Sequence, residues 1–172
     1  MGDVSPSGLR PHDLWAPLRL VTTAACFALG YAVAFPLRLD YSAHLLAGAG
    51  VAVAFVVLVD SRRARGASRQ RAAPPTSMEP IALGASTLAI VLLAALVAEL
   101  TVTGPDISPL DVVNTLVGGV IGLAALATAR ATTPSTGPRS TLLVAAACLI
   151  LMGLAVRYQV QPVVKQWWWG AP

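Results

Sequence analysis

At 172 residues the chain is 56% hydrophobic and 12% charged, which excludes an ordinary soluble domain. Its apolar residues are gathered into unbroken runs long enough for a helix to cross a bilayer core of about 30 Å, and the lack of alternation excludes a membrane barrel. The net charge of +4 does not imply a nucleic-acid partner, because the basic residues crowd short loops without interleaved aromatics.

Five runs, in chain order, define an all-α polytopic membrane bundle. Residues 1–15 ("MGDVSPSGLRPHDLW") read as a cytoplasmic tail, too rich in Pro, Gly and Ser to fold alone, with His12 solvated. The first span is expected over 16–37. "AVA" at Ala32–Ala34 imitates a signal cleavage site, but the apolar stretch runs past it, so the helix is read as retained. The second span, 42–59, leads into "DSRRARGASRQRAAPPTSMEP", where Pro80 suits a helix start. The third, 81–100, finishes on Glu99, and the short loop "TVTGPDISP" with Asp106 joins it to the fourth, 110–129. After "ATTPSTGPRS" comes the fifth span, 141–156, and a Trp-rich tail over 158–172. Together, 16–157 make one transmembrane domain. Cys26 and Cys148 fall mid-span and read as small buried residues with no redox role.

Charge sets the expected orientation. Arg10, Arg19, Arg62, Arg63, Arg65, Arg69, Arg71, Arg130 and Arg139, nine of the twelve basic residues, fall on one side, leaving Arg38, Arg157 and Lys165 on the other. The positive-inside rule then places the N-terminus in the cytoplasm and the C-terminus outside, for a multi-pass protein of the plasma (inner) membrane. Lipid is the implied partner. Trp167, Trp168 and Trp169 beside Lys165 read as an interfacial anchor, with contact to a neighbouring protein as the alternative.

This topology brings the polar residues to a single, outer, surface. Asp40 and His44 are four apart at the start of the second helix and share a face. Glu99 closes the third helix. Asp111, Asn114, Gly118 and Gly122 form one stripe down the fourth, and the two glycines make a G-x-x-x-G suited to close helix contact. Carboxylates near a bilayer turn toward partners rather than lipid, so Asp40, His44, Glu99, Asp111 and Asn114 are candidates for one ligand-binding cluster. The plainer reading is that Asp111, after Pro109, only favours its own helix start. Arg38, nearest in sequence, is expected to supply the compensating positive charge.

"DYSAH" opening a helix, a helix closing in Glu, and "DVVNTLVGGVIG" after a short loop resemble the VanZ-like membrane protein family over roughly residues 38–125. Asp40, His44, Glu99, Asp111, Asn114, Gly118 and Gly122 fall in order on that family's pattern. Two positions depart from it. Val102 stands where the family often has Gln, and the outer loop offers Pro105 and Asp106 where it usually has Arg. The resemblance implies a bacterial cell-envelope role, with low-level resistance to a glycopeptide antibiotic in founding members.

The expected function is therefore binding of a lipid, lipid-linked precursor or glycopeptide at the outer leaflet. The alternative is a small accessory or assembly subunit of a larger membrane complex, held through its tails. One His among three carboxylates lacks a recognisable metal-ligand spacing, so neither a metal nor another cofactor is expected. No nucleophile has a catalytic context, and the reading leans away from an enzyme. Without broken helices or an internal repeat, a transporter gains no support.

Overall fold

The computed structural model describes residues 14–67, 79–102, 108–132 and 139–170, and among these there is no strand. Among the described residues, five helical stretches are long and apolar enough to cross a membrane. Four are α1 (Trp15–Ala34), α2 (Leu39–Ala67), α3 (Glu79–Val102) and α4 (Pro109–Thr132), and the fifth, Arg139–Trp168, begins with α5 (Arg139–Ala155). From α5 the chain passes through a π-helical turn (Val156–Val160) into α6 (Gln161–Trp169). The expected 1–15 tail, with His12, lies almost wholly outside the described residues, as does the loop with Pro105 and Asp106.

Helix ends differ from the apolar runs for local reasons. α1 stops at Ala34 rather than residue 37, because Phe35 precedes Pro36 and leaves the helical region (φ −132°). A tight turn follows, with the Arg38 N–H donating to Phe35 O at 2.9 Å, so α2 starts at Leu39, three residues early. Its other end runs past Val59 to Ala67. Hydropathy marks only the part of a helix that lies in lipid, and the following Asp, Ser and Arg residues extend α2 as a polar helix.

The expected tail at 158–172 is instead helical as far as Trp169. Pro162 explains the irregular turn before it. An α-helical proline loses its N–H bond and crowds the carbonyl four residues back, here that of Tyr158. One wider turn, in which the Gln161 N–H donates to Val156 O, absorbs that conflict and lets the helix continue.

Burial identifies α2 as the centre of the bundle. Two thirds of its apolar stretch is buried, against 17% for α3. Leu45, Leu46, Val53 and Val57 of α2 pack on Leu20 and Ala24 of α1, Leu126 of α4, and Leu142 and Leu149 of α5. Lipid tails are as apolar as leucine, so close backbone approach rather than dehydration must hold such helices together. Gly118 and Gly122 supply it, and the helix they face is α2. A Cβ on Gly118 would collide with the carbonyl of Leu45, and one on Gly122 would lie 2.7 Å from Ala49 O. Gly48 of α2 answers from the other side, against the Thr115 carbonyl. Cys26 and Cys148 are free thiols on the outward surface, so the expectation that they are buried is corrected. Small residues serve equally well facing lipid.

Candidate functional site

The glycine seam fixes the depth at which α2 and α4 meet, and so brings His44 beside Asp111. Asp111 does not cap α4 with its side chain. Ser108 takes that part: its hydroxyl and its carbonyl accept the Asp111 N–H at 3.4 and 3.1 Å. The Asp111 carboxylate is thereby free to turn inward, where Oδ2 lies 3.6 Å from His44 Nε2. Glu99, 2% exposed, comes from the end of α3 with Oε1 3.7 Å from the same nitrogen. Three helices thus converge on one imidazole.

Hydrogen bonding assigns the state of that imidazole. Thr115 donates its single hydroxyl proton to the Asp111 carbonyl at 2.8 Å, one turn back on α4. At 3.2 Å from His44 Nδ1, the same hydroxyl can only accept. Nδ1 therefore carries the proton, and Nε2 turns a lone pair toward the acids.

A guanidinium meets that lone pair, and it is not Arg38. Arg157, on the π-helical turn, donates to His44 Nε2 at 2.5 Å and lies 3.8 Å from Glu99 Oε1. Four residues on, Gln161 donates to Asp40 Oδ1 at 3.2 Å. Arg38 pairs locally, 3.3 Å from Asp40 Oδ2, and lies over the Tyr41 ring. Burial works against the Arg38 charge, but hydrogen bonding and attraction to Asp40 outweigh it and hold the pKa above its ordinary value. The expectation that Arg38 serves the acids holds for Asp40. Glu99 and His44 receive Arg157 instead.

His44, Glu99 and Asp111 therefore form one cluster with Arg157, while Asp40, one turn before His44 on α2, is held by Arg38 and Gln161; sequence periodicity did not place Arg157 or Gln161 there. Asn114 is buried on the same stripe of α4 but makes no hydrogen bond to these groups among the described residues. Among the described residues, Asp111 Oδ1 is buried without a hydrogen-bond partner. An orphaned buried acceptor of this kind costs about 1–3 kcal/mol, more if charged.

One ligand atom from each of His44, Glu99 and Asp111 lies within 4.8 Å of the others, a spacing that a hard divalent ion tolerates. Arg157 already holds the Nε2 lone pair and stands beside Glu99, so in this arrangement the guanidinium does the work of the cation. The cluster is mostly enclosed. His44 is 12% exposed and Arg157 22%, so Arg157 is the more open side of the network.

At the far end of the last helix, Trp167 is 79% exposed and Trp168 54%, their rings 6.3 Å apart, as an anchor or a partner contact requires. The side chain of Trp169 lies outside the described residues. Compared with known proteins, the chain matches no family model, no characterised protein and no solved structure.

Proposed function

We propose that this protein binds the polar headgroup of a lipid or lipid-linked envelope precursor at the outer leaflet, as a VanZ-like member of the bacterial cell envelope. The observation that carries the reading is the largely enclosed cluster of His44, Glu99, Asp111 and Arg157, drawn from four membrane-spanning stretches onto one end of the bundle, with Asp40 one turn before His44. Ionisable groups within membrane spans are expensive, and packing alone requires none of them here. Glu99 lies three residues from the end of α3 and Asp111 two from the start of α4. At 1.5 Å per residue both lie within about 5 Å of a helix end, headgroup depth rather than mid-bilayer.

The chemistry fits an amphiphilic ligand. Arg157 and Arg38 suit phosphate or carboxylate, the Asp111 carboxylate suits a hydroxyl, amine or ammonium group, and the flanking helices suit acyl or prenyl chains. The charge asymmetry supports an outward-facing site.

Native mass spectrometry of the detergent-purified protein with a polyprenyl-linked cell-wall precursor tests this. The wild type should retain the precursor, and Glu99→Gln with Asp111→Asn should lose it while keeping helix content and oligomeric state. Equal retention by both proteins would remove the site from the function. A second reading, an accessory subunit gripped through the C-terminal helix, draws on the exposure of Trp167 and Trp168. It requires a stoichiometric protein partner that is lost on Trp167→Ala.

A further inference from the structure

At the opposite end of the bundle a second feature has no part in the network just described. Residues of α2, α4 and α5 border a cavity of about 370 Å³ there, lined by Val57, Asp60, Arg63, Arg130, Arg139 and Leu142. That volume is at the small end of the ~300–1,000 Å³ usual for ligand clefts. His44 and Asp60 are both on α2, sixteen residues apart, so the two sites are separated by about 24 Å along its axis.

The lining has a definite chemistry. Arg63, Arg130 and Arg139 come one from each helix, and Asp60 pairs with one of them, Arg130 Nη2 lying 2.6 Å from Asp60 Oδ2. Three guanidiniums against one carboxylate leave two positive charges in excess. Asp60 also shows the cavity accepting an anionic oxygen on Arg130. Arg139 and Leu142 belong to the first turn of α5, so the positive end of that helix dipole adds to the field. Val57 and Leu142 are 1% and 2% exposed and give the cavity an apolar floor.

We propose that this cavity is an anion site for a phosphate group, held by Arg63 and Arg139 and by Arg130 as Asp60 releases it. Guanidinium forks match phosphate oxygens, and basic pockets between membrane helices take phospholipid headgroups. The charge asymmetry turns this end toward the anionic inner leaflet. The phosphate has two possible carriers, an anionic lipid or a free phosphate ester, and the experiment separates them.

The test is the melting temperature of the full chain in a neutral detergent, titrated with phosphatidylglycerol in one arm and glycerol phosphate in the other. Phosphatidylcholine is the control for the lipid arm, and sodium chloride of equal ionic strength for the soluble one. Stabilisation above control is expected in at least one arm, and the arm that responds identifies the carrier. Arg63→Gln and Arg139→Gln should each shrink the shift and together abolish it, with the ligand-free melting temperature unchanged. Asp60→Asn makes the decisive variant, because a folding defect cannot imitate its effect: freeing Arg130 should lower the ligand concentration needed for half the shift. No stabilisation in either arm, the same shift in the double variant, or a weaker response in Asp60→Asn would each overturn the proposal.

Discussion

Both ends of this bundle carry acids and arginines, but they hold them in opposite ways. At the Asp60 end the pair is half in water, with Arg130 36% and Asp60 27% exposed, and the remaining arginines face a cavity. At the Glu99 end, Glu99 and Asp111 are 2% and 8% exposed and share one histidine, with Arg157 between that histidine and Glu99, so that four spans contribute. Screened charges can be lost at little cost, whereas enclosed ones depend on every partner being present. The enclosed end is thus the one whose residues are coupled, and the open end the one free to exchange partners.

The largest effect should come from the seam that positions the enclosed end. Gly118→Leu puts a branched side chain into the Leu45 backbone, which has no room to give. A loss of at least about 3 kcal/mol, the top of the usual overpacking range, is expected in denaturant titrations in detergent. Wild-type stability would mean that α4 does not meet α2 here. Next in size is Arg157→Met. It removes the guanidinium that hydrogen-bonds His44 and pairs with buried Glu99, and should destabilise by about 3 kcal/mol, the lower end for a broken buried pair because Arg157 is partly exposed. A change under about 1 kcal/mol, the value of a surface pair, would erase the contrast between the ends.

How much of this was legible beforehand follows from what each signal measures. Hydropathy reports the lipid-facing length of a helix, so five spans were visible, while the polar extension of α2 and the helix beyond residue 157 were not. The i,i+4 pair Asp40–His44 and the Asp111–Gly122 stripe were legible because helical periodicity sets which residues share a face. Arg157 was not. It lies 58 residues from Glu99, and its direction depends on a π-helical turn that no 3.6-residue period describes. Pro162 was the available signal: a proline within a continuing helix forces an irregular turn just before it, and Arg157 lies in that turn with Gln161 directly after it. Likewise Ser108 before Pro109, with Asp111 three residues on, marks a serine cap and leaves the Asp111 carboxylate free for other use.

Smaller effects sharpen the same comparison from the open end. Asp60→Asn should change stability by no more than about 1 kcal/mol, and that difference should fade as salt is raised. A salt-insensitive loss of several times that size would make the Asp60 pair as structural as the Glu99 cluster. Smallest of all, Trp167→Ala should leave unfolding in detergent unchanged, since its ring is mostly exposed. Its consequence should appear only as weaker retention in liposomes or loss of a bound partner, and a clear drop in melting temperature would place the ring against the bundle instead.

The central claim is that Glu99 on α3 and Arg157 beyond α5 act as one unit. A double-mutant cycle of Glu99→Gln and Arg157→Met, read by unfolding free energy in detergent, measures that coupling directly. The account predicts that the double variant is less damaged than the two single losses added together, by about 1–3 kcal/mol. Losses that add to within about 0.5 kcal/mol, as for distant independent sites, would contradict it.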